Sequence, residues 1–337
     1  MAGLSRKLGI DLGTFNTRIA EGNNILIQEP TVAAILLDEL KLVEIGKSAL
    51  DMMGRVPESI EVNRPMRYGV IAEYEITENL LREWIRQVTG RMLLFRPKFM
   101  LTIPYGITSV ERRAVYEVGL GAGSRDVNLI QQPLAAAIGV DLPIGTPTGN
   151  MIICLGGGTS QAAVLAMNGI VSARTTRVAG LHLDEAVIDY VRQKYGLIIG
   201  QPTAEELKIQ IGAAIPQDDQ KTLEIQGQDQ VTGLPRPATL TTDEIVEALQ
   251  TPLENIADTI RRVLEKTPPE LISDIIDRGV ALCGGTSLLH GIDRYLTKTL
   301  GIPAYLVDNP TTCIVEGAAK AFSNLEALSR NLPPKAY

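Results

Sequence analysis

The spacing of apolar residues changes along the chain from short runs to helical repeats, which predicts alternating strands and helices. Thr77 precedes apolar positions spaced along one helical face, so it is the candidate N-cap of a helix. Thr108 with Glu111, and Thr203 with Glu206, have the spacing of capping boxes that would open two further helices. This alternation is typical of an α/β fold.

Helices are also predicted in the middle and in the C-terminal part of the chain. Gln132 and Pro133 begin a predicted helix of small residues, and Thr242 begins a long amphipathic helix that runs to about Lys266. The polar segment 218–237 predicts a hairpin or an exposed loop region. Helices and strands are therefore expected in both halves of the chain.

A weak internal repeat relates the two halves. Residues 10–20 read IDLGTFNTRIA and residues 153–164 read ICLGGGTSQAAV, so that Asp11 falls on Cys154. Each copy reads as an apolar strand, a turn of glycine and threonine, and a second alternating strand. At roughly 150 residues per domain, the length of 337 residues and the repeat predict two similar domains that face each other.

Three glycine-containing turns follow strands, in GIDLGTFNT, CLGGGTS and ALCGGTS. Such turns expose backbone N–H groups that bind phosphate oxygens, and the N-terminus of a helix also favours an anion. One glycine turn is usually only a turn, but three of them, two related by the repeat, favour a phosphate site. None has the spacing of a P-loop or of a dinucleotide-binding fingerprint. The candidate phosphate-site residues are Gly13, Thr14, Asn16, Gly156, Gly157, Gly158, Thr159, Gly284, Gly285 and Thr286.

Asp11 ends the first apolar strand, directly before the first of these turns. A carboxylate at this point suits contacts through water to Mg²⁺, which prefers oxygen ligands and keeps much of its hydration. The alternative is a carboxylate that only caps the turn, and the residues by themselves leave both interpretations open.

The composition of the chain limits the classes of partner that it can bind and the cellular compartment in which it is expected. The formal charge is −7, no dense basic tract is present and 4% of the residues are aromatic, which argues against nucleic acid as a partner. Three cysteines and two distant histidines exclude a disulfide scaffold and a His/Cys zinc site, and favour a reducing cytoplasm. The first residues lack the apolar core of a signal peptide. Prolines and glycines break the uncharged stretch 142–173, so we predict strands and turns there rather than a transmembrane helix. We therefore expect a soluble protein.

Further motifs extend over nearly the whole chain, namely PYGITSVERRAV, LAAAIG, VAGLHLDEAV, TAEELKIQIG, TGLPR and EKTPPELISDIIDRG. Together with GIDLGTFNT, LGGGTS and GGTSLLHG, they resemble the MreB family of bacterial actins. The resemblance implies an actin-like, duplicated ribonuclease H-like α/β fold, with two domains of two subdomains around a nucleotide cleft. The implied boundaries are residues 1–31, 64–147 and 315–337 for subdomain IA, 32–63 for IB, 148–182 and 243–314 for IIA, and 183–242 for IIB.

The same resemblance implies a function. It predicts a cytoskeletal protein that binds ATP and ADP with Mg²⁺ and forms membrane-associated, antiparallel double filaments that organise cell-wall synthesis and rod shape. The implied partners are further copies of the chain, the lipid of the inner membrane, and cell-wall elongation proteins such as RodZ and MreC. The implied location is the cytoplasm, peripheral on the inner face of the cell membrane.

The family pattern also implies roles in nucleotide binding. The turn from Asp11 to Asn16 and the turn from Gly156 to Thr159 would bind phosphate, and Asp11 would meet the metal through water. Glu205 and Lys208 would flank the adenosine, with Gly284, Gly285 and Thr286 beneath it. Without the family, Glu205 and Lys208 read as a solvated ion pair at i,i+3 on a helix.

The departures from the family pattern all remove negative charge from the cleft. Cys154 stands where an Asp would organise the water around Mg²⁺, and a neutral thiol is a poor partner for a hard cation. Gln161, Gln132 and Leu181 replace carboxylates. Gln132 and Gln161 are therefore the candidate catalytic residues, because a Gln can orient a water although it cannot accept the proton. We expect nucleotide binding with at most slow ATP hydrolysis, unless other groups compensate.

A second motif is GRMLLFRPKF at residues 90–99, in which three apolar residues, here called the apolar tip, are flanked by Arg91, Arg96 and Lys98. Burying each apolar side chain in lipid contributes roughly 1.5–3 kcal/mol, and each cation near an anionic surface adds about 1 kcal/mol. The alternative is a strand that enters the core, but in the family the matching loop inserts into the membrane. The candidate membrane residues are Leu93, Leu94 and Phe95.

Other functions within the actin superfamily remain as alternatives to a polymer. A small-molecule kinase needs a catalytic Asp that faces a polar sugar pocket, and the sequence offers no convincing candidate. A chaperone of the DnaK type needs a further substrate-binding domain that 337 residues do not accommodate. A non-polymerising, nucleotide-binding adaptor is the remaining alternative, and sedimentation of the purified protein separates it from a polymer.

Overall fold

A computed structural model describes residues 5–39, 41–90 and 96–334. The strands in chain order are β1 Lys7–Leu12, β2 Asn16–Glu21, β3 Asn24–Pro30, β4 Ala33–Leu36, β5 Lys41–Ile45, β6 Ile60–Asn63, β7 Met66–Arg67, β8 Val70–Ile71, β9 Lys98–Ile103, β10 Asp126–Gln131, β11 Asn150–Leu155, β12 Ser160–Ala166, β13 Gly169–Thr176, β14 Leu197–Ile198, β15 Thr222–Asp229, β16 Pro235–Thr241, β17 Val280–Cys283 and β18 Ala304–Leu306. The helices are α1 Gly46–Met52, α2 Tyr74–Thr89, α3 Ser109–Gly121, α4 Gln132–Gly139, α5 Gly180–Tyr195, α6 Gln201–Gln210, α7 Thr242–Leu264, α8 Pro269–Arg278, α9 Ile292–Leu300, α10 Cys313–Lys320 and α11 Leu325–Leu328.

Two five-stranded sheets with the same connectivity form the framework. One has the order β10-β9-β1-β2-β3 and the other β13-β12-β11-β17-β18. In each sheet an antiparallel hairpin, β1–β2 or β11–β12, is extended on the side of its first strand by parallel strands. Strands β1 and β11 are almost continuously apolar and buried, as expected for central strands covered on both faces. The predicted duplication is therefore confirmed.

Helices α4 and α10 pack against each other within a core shared by the two sheets. Their contact is close because its residues are small. A Cβ on Gly317 would lie 1.7 Å from the Ala135 carbonyl oxygen, and a Cβ on Gly139 would lie 1.9 Å from that of Cys313. Only glycine permits this approach. The helix pair thereby fixes the two hairpin turns relative to each other.

Two smaller sheets lie apart from the large ones. Strands β5-β4-β6 form one of them and β14-β15-β16 the other. They fall within residues 32–63 and 183–242, where the sequence predicts subdomains IB and IIB. The exact subdomain boundaries stay a prediction.

Several local predictions are confirmed. Thr108 and Glu111 form a reciprocal capping box at the start of α3. Helix α4 begins at Gln132, with proline in its first turn. The long helix α7 begins at Thr242, although its cap is Thr241, which forms a capping box with Glu244. The polar segment before α7 is a hairpin of β15 and β16.

Two of the predicted helix caps are wrong. Thr77 lies inside α2, which begins at Tyr74, and its hydroxyl donates to the Glu73 carbonyl one turn earlier. Thr203 lies inside α6, which begins at Gln201, and no side chain caps this helix. In both cases the helix starts earlier than the cap spacing indicates. A Thr in the first turns of a helix can bond a carbonyl of the preceding turn, so residue type alone does not locate the cap.

Within the described ranges, the helices include none that is both long and apolar enough to cross a membrane. The uncharged stretch 142–173 forms turns and strands β11, β12 and the start of β13, as predicted. The candidate membrane residues Leu93, Leu94 and Phe95 lie outside the described residues.

Candidate functional site

A cleft lies between the two large sheets, with the β1–β2 turn on one side and the β11–β12 turn on the other. The structure brings all the predicted nucleotide residues together in its lining, namely Asp11, Gly13, Thr14, Asn16, Gly156, Gly157, Gly158, Thr159, Glu205, Lys208, Gly284, Gly285 and Thr286. Gln132, Gln161 and Cys154 line the same cleft, together with Arg18, which the sequence analysis did not single out. The duplicated hairpins therefore converge on one site.

The two turns have the same internal hydrogen bond. The Gly13 N–H donates to the Asn16 carbonyl at 3.2 Å, and the Gly156 N–H donates to the Thr159 carbonyl at 2.9 Å. Each bond closes its hairpin tip, so the two copies of the sequence repeat form turns of the same kind. The residues of both tips line the cleft.

The two turns also touch across the cleft, which explains the glycines. A Cβ on Gly158 would lie 2.1 Å from the Thr14 hydroxyl, and a Cβ on Gly157 would lie 2.3 Å from the Phe15 ring. The Thr14 hydroxyl in turn accepts a hydrogen bond from the Gly69 N–H at 2.9 Å. No larger residue fits at these two glycine positions without displacing the opposite turn.

Helix α5 and the third glycine turn dock onto the β11–β12 turn. The Gly156 carbonyl accepts hydrogen bonds from the Gly180 N–H at 3.1 Å and from the Thr286 hydroxyl at 2.8 Å. The Leu181 N–H donates to the Gly157 carbonyl at 2.8 Å. Leu181 therefore meets this turn through its backbone.

A buried chain of hydrogen bonds connects Asp11 to the second domain. Asp11 Oδ1 accepts from the Thr102 hydroxyl at 2.5 Å and from Gln132 Nε2 at 3.1 Å. Gln161 Nε2 donates to Gln132 Oε1 at 2.5 Å, and Gln161 Oε1 accepts from the Tyr105 N–H at 2.8 Å. Both ends of each glutamine amide are thus bonded within the protein. These bonds hold both amides in fixed orientations, and Gln132 keeps one N–H that no described residue accepts.

The cleft does not fit a Mg²⁺ ion held directly by several protein carboxylates. Its only lining carboxylates are Asp11 and Glu205, among the described residues. Cys154 lies opposite Gln161 in the hairpin, and its sulfur is 3.3 Å from that of Cys283. Contact with Cys154 and burial raise the pKa of Cys283 well above its ordinary value, so Cys283 stays a neutral thiol. No group of three or more metal-ligating side chains occurs in the part of the chain that the structure describes.

Asp184 is a buried charge that the sequence analysis missed. Its carboxylate has no exposed surface and accepts a hydrogen bond from Lys208 Nζ at 2.5 Å. Lys208 Nζ also donates to the Gly180 carbonyl at 3.3 Å, so this pair joins α6 to the start of α5. Burial raises the pKa of Asp184 to about 6, although Lys208 opposes the shift. The solvated pair of Glu205 and Lys208 is therefore wrong, because Lys208 is bonded to Asp184.

The model of the MreB/Mbl protein family matches residues 5–330. The chain belongs to this family. It is 43% identical over 328 residues to the cell shape-determining protein MreB of Escherichia coli K12, covering 96% of this chain and 94% of that protein. It is 38% identical over 327 residues to the cell shape-determining protein Mbl of Bacillus subtilis, covering 97% and 98% of the two chains.

Solved structures agree with this assignment. MreB5 of Spiroplasma citri, in a crystal structure bound to AMPPNP, superimposes with a TM-score of 0.91 at 31% identity and covers 97% of this chain and 99% of that chain. A second crystal structure of that protein, bound to ADP, gives the same values. A MamK double helical filament matches with a TM-score of 0.77 at 18% identity, which supports the fold alone.

These matches confirm the resemblance inferred from the motifs. The fold is actin-like, and the relatives are cell shape-determining proteins of the bacterial cytoskeleton. The kinase and adaptor alternatives have no counterpart among these relatives.

Proposed function

We propose that this protein binds ATP and ADP in the cleft and assembles into actin-like filaments that determine cell shape. The observation that carries the proposal is the pair of glycine turns that face each other across the cleft. Among the described residues, no group accepts a hydrogen bond from the N–H of Gly157 or Gly158, which leaves both free for phosphate oxygens. The nucleotide-bound structures of S. citri MreB5 support the same conclusion.

The base and sugar would occupy the side of the cleft formed by Glu205, Lys208 and the third glycine turn. The Lys208 ammonium is already bonded to Asp184, so its aliphatic stem remains to pack against the adenosine. Gly284 has a φ of +90°, and a Cβ there would lie 2.2 Å from the Leu155 carbonyl. This tight turn directs Gly285 and Thr286 toward the ligand.

Mg²⁺ would accompany the phosphates of the nucleotide rather than be held by the protein. Asp11 is the one carboxylate near the phosphate turns, and it would meet the ion through water. Gln132 and Gln161 are neutral amides bonded to each other, so neither can act as a general base. We therefore propose that hydrolysis is slow at most.

Assembly is proposed to involve paired, antiparallel protofilaments on the inner face of the cell membrane. The loop with Leu93, Leu94 and Phe95 would insert into lipid, and RodZ and MreC would connect the filament to cell-wall synthesis. The family membership and the loop sequence support this proposal. A filament multiplies the weak membrane contacts of single subunits. The four subdomains are proposed to follow the boundaries given above.

A substitution at Gly285 tests nucleotide binding. Gly285 lines the cleft, and a Cβ there would meet no atom within 4 Å, so the fold tolerates a side chain that fills the proposed adenosine site. Gly285→Leu is expected to weaken ATP and ADP binding by about 2 kcal/mol, or roughly 30-fold, measured by titration calorimetry. The control is Gly145→Leu, outside the cleft lining. Equal affinity of the Gly285 variant and the unaltered protein would contradict the proposed site.

Replacing Leu93, Leu94 and Phe95 by Ser tests membrane binding. The triple variant is expected to lose co-sedimentation with anionic liposomes and to keep pelleting as filaments without lipid, because only the apolar tip is removed. The matched control replaces three apolar residues that the structure shows to be exposed, Val110, Val231 and Leu234, by Ser. If the tip variant still pellets with liposomes, another surface is the anchor. If it unfolds while the control does not, residues 93–95 belong to the core.

A further inference from the structure

Arg18 carries a positive charge into the cleft. It lies in β2 directly opposite Asp11 of β1, so the two side chains are on the same face of the sheet. The neighbours Thr17 and Ile19 point to the other face and are fully buried there. The face of Arg18 is the one covered by α10, and Arg18 is part of the cleft lining.

The side chain of Arg18 forms no hydrogen bond or ion pair with the described residues. Its Nε is buried and has no hydrogen-bond partner among the described residues, and none of their carboxylates lies within ion-pair distance of it. Burial lowers the pKa of Arg18, although Asp11 partly offsets this effect, and an Arg still stays charged at neutral pH. The other cation of the cleft, Lys208, is by contrast paired with Asp184. Arg18 is only partly exposed, so an anionic ligand in the cleft would supply the partner that the described residues do not.

The charges of the cleft agree with an anionic ligand at Arg18. Asp11 is the only carboxylate that the described residues place on the phosphate side, and one of its oxygens is already bonded to Thr102 and Gln132. The remaining groups there, Cys154 and Gln161, are neutral. This side of the cleft therefore lacks the several carboxylates that would hold a metal cation directly. The negative charge of a bound di- or triphosphate nevertheless has to be neutralised. Arg18 supplies a fixed positive charge at that side of the cleft.

We propose that Arg18 binds the phosphates of the nucleotide and neutralises enough of their charge that the Mg²⁺ which can accompany them is not required for binding. The proposal rests on the nucleotide binding proposed above. A guanidinium binds two phosphate oxygens at once through its planar fork, and it is a fixed part of the chain that needs no metal in solution. The protein consequently binds ADP and ATP with little dependence on Mg²⁺.

The first experiment compares ligands and metal in the unaltered protein. Titration calorimetry with ADP, ATP and adenosine is carried out in EDTA and in excess Mg²⁺. ADP is expected to bind in EDTA and to bind more tightly than adenosine, with an affinity that excess Mg²⁺ changes by less than about threefold. If ADP binds only when Mg²⁺ is present, Arg18 does not neutralise the phosphates. If neither ADP nor adenosine binds under any condition, the proposed nucleotide function itself is wrong.

The second experiment removes the charge. Arg18→Met is expected to weaken ADP binding in EDTA by about 10- to 100-fold, the loss typical of a charge-assisted hydrogen bond, and to leave adenosine binding unchanged. Arg18→Lys keeps the charge and should retain most of the affinity. The matched control is Arg112→Met on α3, whose Nε is also buried without a partner but which lies outside the cleft lining.

The variants separate a binding role from a structural one. Equal loss of ADP and adenosine binding in Arg18→Met would show that the residue only supports the fold. Unchanged ADP affinity in Arg18→Met would overturn the proposal while leaving the nucleotide function intact. If Arg18→Met does not fold, the metal dependence of the unaltered protein and of Arg18→Lys still decides the question.

Discussion

Restoring three carboxylates in the cleft is expected to raise the rate of ATP hydrolysis about 10²–10⁴-fold, the usual contribution of a general base. The substitutions are Cys154→Asp, Gln161→Glu and Gln132→Glu. In the unaltered protein Gln132 donates to Asp11 and accepts from Gln161, and a neutral amide cannot accept the proton of the attacking water. A carboxylate at this position would have no proton to donate to Asp11. It would instead offer an oxygen to the attacking water.

The geometry also predicts that this hydrolysis requires Mg²⁺. Gln132 Nε2 is 3.1 Å from Asp11 Oδ1, so a carboxylate in its place sets two negative charges side by side. A divalent cation relieves that repulsion. Phosphate release is measured with and without Mg²⁺, and a control variant carries Gln210→Glu and Gln220→Glu on the exposed surface. Rapid Mg²⁺-dependent hydrolysis by the unaltered protein would contradict the prediction, as would failure of both proteins to bind ATP.

The duplicated framework could be predicted because its signals are local. A hairpin with a glycine tip is encoded within about a dozen residues, and two copies in one chain imply two related sheets. Capping boxes are equally local, and the one at Thr108 is confirmed. The failures at Thr77 and Thr203 show the limit of such signals. A Thr can cap a helix or bond a carbonyl inside it. Thr77 bonds the Glu73 carbonyl within α2, and α6 begins before Thr203, with a proline in its first turn.

The charged groups of the cleft were harder to predict because their partners are distant in sequence. Asp184 and Lys208 belong to different helices, and Arg18 reaches the cleft only through the register of β1 and β2. A signal was nevertheless present. Asp184 lies beside Leu183 and one turn before Val187 on the buried side of α5, where an unpaired carboxylate would be costly. A charge on an apolar helical face indicates a buried partner even before its identity is known.

Lys208→Met is expected to destabilise the protein by about 3–5 kcal/mol at pH 8, because it leaves the Asp184 carboxylate buried and unpaired. Asp184 is fully buried, and its only other side-chain partner within the described ranges is the Gln201 amide at 3.5 Å. The free energy of unfolding is measured in urea. The matched control is Lys320→Met, which removes a pair with the exposed Asp141 and should cost less than about 1 kcal/mol. If both substitutions lower the free energy of unfolding equally, the buried pair stabilises the fold no more than the exposed pair does.

The pH dependence of this loss identifies the carboxylate responsible. The folded pKa of Asp184 is about 6, above its ordinary value of 3.8, so the folded state binds more protons between these values and this group adds stability as pH falls through that range. Removing Lys208 raises the folded pKa further, because the ammonium lowers it. The cost of Lys208→Met should therefore be largest above pH 7 and shrink toward pH 5, where the carboxyl group is neutral. Adding Asp184→Asn should recover most of the loss at pH 8 and abolish its pH dependence. A loss that stays constant from pH 5 to pH 8 would mean that Lys208 stabilises the fold through packing rather than through Asp184.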